Sequence, residues 1–198
     1  MRMVGPNCLG VVNTNPNVRL DACFAESLPV AGDIGFVSQS GALGGGILNI
    51  LKDLNVGFAQ FISIGNQADV NAETALEYWE NDPDVKQILL YMESIPDPAN
   101  FRKLATRISK KKPIVALKAG RSAAGASAAS SHTGSLAGGD RAADALLKQS
   151  GVIREMSLKD LFSTAKVFAN CPIPKGDRVA IVTNSGGPGI MATDAVCE

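Results

Sequence analysis

The sequence predicts an α/β fold: a doubly wound parallel sheet with helices on both faces. Short apolar runs alternate with stretches of helical period along most of the chain. These runs are apolar at nearly every position, as strands buried on both faces are. Gly- and Ser-rich turns join the end of a run to the start of a helix, the connection of βα units.

The elements follow in order. Residues 34–37 form an apolar run, and a helical stretch runs from about 42 to 54. Residues 57–64 read as a second strand and residues 72–81, with the only tryptophan, Trp79, as a second helix. A strand at 87–92, a helix at 99–111 and a strand at 113–118 continue the alternation. A small-residue loop over 119–139 precedes a helix at 140–150, a short strand at 152–154 and a helix at 158–169.

The two ends read differently. Residues 1–12 look like the last strand and exit loop of a unit upstream, and the domain boundaries are set at 1–30, 31–170 and 171–198. Residues 170–177 carry two prolines and a Lys-Gly-Asp turn, which marks a linker. Beyond it, residues 178–183 read as a new strand, 184–189 as a turn, and Ile190 onward as a helix. One strand and a short helix do not make a domain, so the chain is expected to be a piece of a longer protein.

Composition narrows the function classes. Lys plus Arg and Asp plus Glu are both 19, so no global basic field recruits nucleic acid or an anionic membrane. No apolar run approaches the roughly 20 residues of a membrane span, and residues 1–6 do not read as a signal peptide. Cys8, Cys23, Cys171 and Cys197 are widely spaced without a CxxC pair. A disulfide framework or metal site is therefore not expected, and a cytoplasmic location is.

The chain has one histidine, His132. Between residues 119 and 139, seventeen of twenty-one residues are Ala, Gly or Ser, so its neighbours are too small to cover it. Imidazole acts near neutral pH as base, nucleophile or phosphate carrier, whereas a bland reading makes it an ordinary polar loop residue. The tract by itself reads as a flexible linker. A loop between a strand end and a helix start is, however, where α/β proteins keep their chemistry.

Two turns match one another. Residues 37–42, with Ser38, Ser40 and Gly41, and residues 183–187, with Asn184, Ser185, Gly186 and Gly187, each follow an apolar run and open a helix. Unpaired N–H groups and the positive end of the helix dipole gather at such turns and suit an anion. A simple helix cap with a Gly turn is the structural alternative. Neither turn ends in GKS/T, and neither is a GxGxxG fingerprint or a GxSxG elbow.

With these motifs in place, the whole chain resembles part of the ADP-forming acyl-CoA synthetases, relatives of succinyl-CoA synthetase. The segment Gly5-Pro6-Asn7-Cys8-Leu9-Gly10 is similar to the exit from their CoA-binding domain. The stretch 32–41 resembles the start of their flavodoxin-like ligase domain, the tract around His132 their phosphohistidine loop, and 183–189 the opening of the next domain. The resemblance implies a flavodoxin-like fold. It also implies that a phosphoryl group passes from nucleotide to His132 and then to a carboxylic acid, after which CoA displaces phosphate.

On the same resemblance, Ser38, Ser40 and Gly41 serve one side of the phosphate and Asn184, Ser185, Gly186 and Gly187 the other. Glu93, just past the third strand, matches the glutamate that holds one imidazole nitrogen; otherwise it is a solvated carboxylate. Asn7, Gly65 and Asn66 are assigned to substrate. Coenzyme A, ATP/ADP and Mg²⁺ are expected as substrates of the complete enzyme, with Mg²⁺ not held by this chain. The expected partners are a nucleotide-grasping domain or subunit, an upstream CoA-binding domain, a small carboxylic acid and further copies in an oligomer. A regulatory module like that of protein lysine acetyltransferases, which usually lacks the histidine, is the alternative, and a plain nucleotide-binding flavodoxin-like module a third reading.

Overall fold

The computed structural model describes the backbone of residues 1–54, 56–133 and 139–197, with the side chains of all of these except 50–54 and 129–133. Its centre is a seven-stranded sheet in the order β2-β1-β4-β3-β5-β6-β7. The strands are β1 (Gly10–Asn13), β2 (Leu20–Cys23), β3 (Ala31–Ser38), β4 (Phe58–Ser63), β5 (Gln87–Met92), β6 (Ile114–Lys118) and β7 (Ile153–Glu155). From β4 to β7 every pairing is parallel. Counted from β3, these five strands run 2-1-3-4-5, the flavodoxin-like order, with its switch point between β3 and β5.

The helices are α1 (Gly41–Leu54), α2 (Ala72–Trp79), α3 (Pro98–Ile108), α4 (Ala123–Thr133), α5 (Asp140–Gln149), α6 (Leu158–Asn170) and α7 (Gly186–Cys197). Alternate strand residues feed two cores. On one face Ile88, Leu90, Met92, Ile114 and Ala116 pack under Leu76 and Trp79 of α2, Phe101 and Leu104 of α3 and Leu147 of α5. On the other, Ile34, Phe36, Leu89 and Val115 meet Ile47 and Leu48 of α1 and Leu161 and Phe162 of α6. Burial on both faces is why these strands read as unbroken apolar runs. Gly35 leaves room for the Trp79 ring, which would lie 2.8 Å from an added Cβ. The indole N–H donates to Gln60 Oε1 at 2.8 Å.

Four expectations change. The sheet is not wholly parallel: β1 runs antiparallel to both β2 and β4, so residues 10–23 extend this sheet as an edge hairpin. The tract 119–139 is not all loop, because Ala123–Thr133 is helical. Alanine is the best helix former, and Ser122 caps the start by accepting the Gly125 N–H at 3.0 Å. Residues 178–183 form no strand, since no neighbouring strand among the described residues offers them pairing groups. The last helix starts at Gly186 rather than Ile190, with Pro188 in the first turn where its missing N–H costs nothing.

Candidate functional site

The carboxyl ends of the parallel strands meet at one edge of the sheet, and most of the sequence-predicted residues come together there. At the end of β3, Ser38 is fully buried and donates its hydroxyl to Ser40 O at 2.7 Å, so it shapes the turn. Ser40 caps α1: its Oγ accepts the Leu43 N–H at 3.3 Å, and its carbonyl accepts the Gly44 N–H at 3.0 Å. Gly41, the first residue of α1, packs against the Cys8–Leu9 backbone. The α1 N-terminus thus opens into a cavity of about 250 Å³ lined by Asn7, Cys8, Gln39, Ser40 and Gly41 among others. Helix-end N–H groups and the helix dipole suit this cavity to a phosphate-sized anion.

The three residues assigned to substrate lie at the same edge. Gly65, just past β4, has φ +49°, and an added Cβ would lie 2.2 Å from Pro6 O and 2.3 Å from Asn7 O. Only glycine admits this approach. The Asn66 N–H donates to Pro6 O at 3.0 Å, and Asn7 Nδ2 donates to Asn66 Oδ1 at 3.3 Å. Leu9 N–H adds a bond to Ser63 Oγ at 2.9 Å. The N-terminal segment is in this way laced to the end of β4 and forms a wall of the cavity.

Across the switch point, Glu93 follows β5 and is 8% exposed, so it is not a solvated carboxylate. Its N–H donates to Gln39 Oε1 at 2.5 Å, and the Ser94 N–H donates to the same oxygen at 2.9 Å. Gln39 Nε2 donates to Ser94 O at 2.8 Å. Gln39, which the sequence reading did not assign, couples the anion turn to Glu93. Its signal was a polar residue between two serines at a strand end.

Lys118 was missed as well. It ends β6, is 4% exposed, and donates to Ala119 O at 2.6 Å. Burial pushes its ammonium pKa down; Asp140 pulls it up, Arg154 pushes it down and Glu93 pulls it up. A lysine closing an otherwise apolar run was the available signal. Arg154 in turn binds the Asp140 carboxylate and, at 2.8 Å, Asp144. Lys118 and Arg154 therefore stand at the two stems of the segment that carries His132.

His132 lies in the last turn of α4, and its imidazole falls outside the described side chains. The second anion turn does not join the group. Thr183 Oγ1 donates to Ser185 O at 3.0 Å and accepts the Ser185 N–H at 3.1 Å, while Asn184 is exposed. An added Cβ at Gly186 or Gly187 would meet nothing within 4 Å. Among the described residues there is no cluster of three or more His, Cys, Asp or Glu placed to hold a metal ion. Among them, too, no helix is long and apolar enough to cross a membrane.

Comparison with known proteins decides the family. The family model described as succinyl-CoA ligase like flavodoxin domain matches residues 31–168. The chain belongs to this family. It is 45% identical over 196 residues to the alpha subunit of an ADP-forming acetate–CoA ligase II of Pyrococcus furiosus, covering 99% of this chain and 42% of that protein. An ADP-forming 4-hydroxybutyrate–CoA ligase of Nitrosopumilus maritimus is 41% identical over 197 residues, 98% of this chain and 28% of that one. Among solved structures, acetyl-coenzyme A synthetase 1 of Ca. Korarchaeum cryptofilum, in complex with phosphate and ADP, superimposes with a TM-score of 0.91 at 38% identity. That match covers 100% of this chain and 42% of the other. This succinyl-CoA ligase-like flavodoxin domain thus spans less than half the length of the relatives it matches.

Proposed function

We propose that this chain is the phosphoryl-relay part of an ADP-forming acid–CoA ligase, which interconverts acyl-CoA, ADP and phosphate with carboxylate, CoA and ATP. The observation that carries the reading is the buried Glu93, tied through Gln39 to the anion-binding start of α1, beside the stems of the His132 segment. The similarity to ADP-forming ligases over nearly the whole chain supports it.

In the synthetic direction one imidazole nitrogen of His132 attacks the γ-phosphorus of ATP, forming an N–P bond as the P–O bond to ADP breaks. Glu93 accepts the N–H of the other ring nitrogen, which fixes the tautomer and stabilises the developing imidazolium. Ser40, Gly41 and the α1 N-terminus offset the phosphoryl charge and Ser38 holds the turn, while the turn of Asn184, Ser185, Gly186 and Gly187, which stands apart from this group here, would add a second helix N-terminus only on being brought to it in the complete enzyme. The carboxylate oxygen of the acid then takes the phosphoryl group, the N–P bond breaks, and the CoA thiolate displaces phosphate from the acyl phosphate. Asn7, Gly65 and Asn66 border the substrate.

The remaining parts of the reaction fall to partners: a nucleotide-grasping domain or subunit and a CoA-binding domain, working in the cytoplasm with Mg²⁺ on the nucleotide. The chain alone is expected not to form acyl-CoA. The complete enzyme, given γ-labelled ATP and Mg²⁺ without acid or CoA, should acquire label that is stable in base and lost in mild acid. His132→Ala and His132→Asn should abolish both label and acyl-CoA formation. Label at the wild-type level in either variant would refute the relay.

A further inference from the structure

The start of α5 is pinned differently from the starts of α2, α3 and α6. Asn71, Asp97 and Ser157 cap those three with side-chain oxygens, whereas α5 begins at Gly139, which has no side chain to offer. Arg154 of β7 fixes it instead. The Arg154 side chain is 7% exposed and lies opposite Ala116, on the sheet face that α5 covers. Its Nη2 binds the Asp140 carboxylate, and its Nη1 donates to Asp144 Oδ1 at 2.8 Å and to Asp140 O at 3.5 Å. One guanidinium thus holds the first residue of α5 and the residue one turn on.

Helix stability does not account for this arrangement. Asp140 in the first turn is already favoured by the helix dipole, and two partly exposed carboxylates gain little from an ion pair. Burying the guanidinium carries a desolvation cost, and its Nε has no hydrogen-bond partner among the described residues. The place of the contact accounts for it better, because Asp140 is where the segment bearing His132 returns to the fold. The contact is also in electrical reach of the relay residues. Burial lowers the Lys118 pKa most; Asp140 raises it, Arg154 lowers it and Glu93 raises it, so Lys118 senses all three charges across the ends of β5, β6 and β7.

We propose that Arg154 is a positioning residue for the phosphoryl relay: through Asp140 it fixes where the His132 segment re-enters the fold, and so aims the imidazole at Glu93. The role rests on the relay reading above. Two variants of the complete enzyme test it, Arg154→Met and Asp140→Asn, which remove the same contact from its two sides. Asp140 is 34% exposed, so its variant keeps the fold if Arg154→Met does not. Each should slow labelling of His132 by γ-labelled ATP about tenfold with the KM for ATP unchanged, and the double variant should be no slower than either single one. A second readout needs no ATP. The pH midpoint for modification of His132 by diethyl pyrocarbonate, read by mass spectrometry, should fall toward the ordinary value of about 6.5 in Arg154→Met, as the imidazole leaves Glu93. Loss of a nearby positive charge alone would raise it. Wild-type labelling and midpoint in either variant, or a double variant slowed by the product of the two single effects, overturns the inference. If the wild type takes no label, the relay reading falls and the midpoint alone decides this one: a fall sustains it, and an unchanged or raised midpoint overturns it.

Discussion

Gln39 Oε1 accepts the backbone N–H groups of both Glu93 and Ser94, at 2.5 and 2.9 Å, and so binds the end of β3 to the end of β5. The two strands are already parallel neighbours, with Ser38 opposite Tyr91. The Gln39 side chain extends that pairing past the last ladder bond, at the point where the two chain ends diverge around the anion site.

Replacing Gln39 with Leu should therefore cost more than one hydrogen bond. Two buried N–H groups lose their acceptor, at about 1–3 kcal/mol each. Urea unfolding should show a lower midpoint with an unchanged slope, and labelling of His132 in the complete enzyme should slow as Glu93 loses its anchor. A midpoint equal to wild type would show that the clamp contributes no stability.

For Glu93→Gln the expected balance is reversed. The backbone bonds to Gln39 survive, so folding should be intact, but a neutral amide does not stabilise an imidazolium. The rate of His132 phosphorylation should fall by about two orders of magnitude, within the range of such orienting groups. An unchanged rate removes Glu93 from the mechanism.

Gly65→Ala tests the wall of the cavity. The positive φ and the 2.2 Å approach to Pro6 O leave no space for a methyl group. A loss of roughly 1–3 kcal/mol in unfolding free energy is expected, together with faster amide exchange at Asn66, whose N–H bonds to Pro6. Wild-type exchange at Asn66 would contradict this.

Glu73 gives the protein a pH slope. It is 2% exposed, and neither carboxylate oxygen has a hydrogen-bond partner among the described residues. Burial pushes its pKa up, the nearby N–H of its own backbone pulls it part of the way back, and Asp97 raises it further. The folded state then holds the proton more tightly than the unfolded chain, so stability falls as pH rises from the ordinary carboxylate range through the raised folded value. Glu73→Met should flatten that slope and raise the melting temperature at neutral pH, measured by thermal unfolding from about pH 4 to 8.

Glu80 acts with the opposite sign. Arg107 Nη2 at 2.6 Å and Lys111 Nζ at 2.9 Å hold its carboxyl below the usual range. Its stabilisation is present above the unfolded carboxylate pKa and is lost as pH falls through the depressed folded one. Arg107→Met should lower stability at neutral pH and reduce the further loss in acid. Parallel stability-versus-pH curves for the variant and wild type would rule the pair out as a source of acid sensitivity.

Several features legible in the sequence and several hidden ones share one physical cause. The strands at 34–37, 57–64, 87–92 and 113–118 were readable because burial on both faces demands apolar residues at successive positions. The helix at 123–133 was not, because alanine, serine and glycine carry no apolar period. Its signal was propensity alone. The run at 178–183 misled for the complementary reason: its side chains suit a strand, but a strand also needs a neighbour to bond.

By itself, then, the sequence determined the α/β alternation and the family, and it singled out as candidates His132, Glu93, and the Ser40–Gly41 and Asn184–Gly187 turns. These depend on local composition and spacing, which the chain displays directly. Only the tertiary structure decided that β3 and β5 are neighbours, that the hairpin of β1 and β2 joins the same sheet, that Asn7 meets Asn66, and that Gln39 reaches Glu93. Each of those contacts joins residues far apart in the chain. Such contacts form only when burial of both faces of the sheet has set the strand order, so no local pattern encodes them.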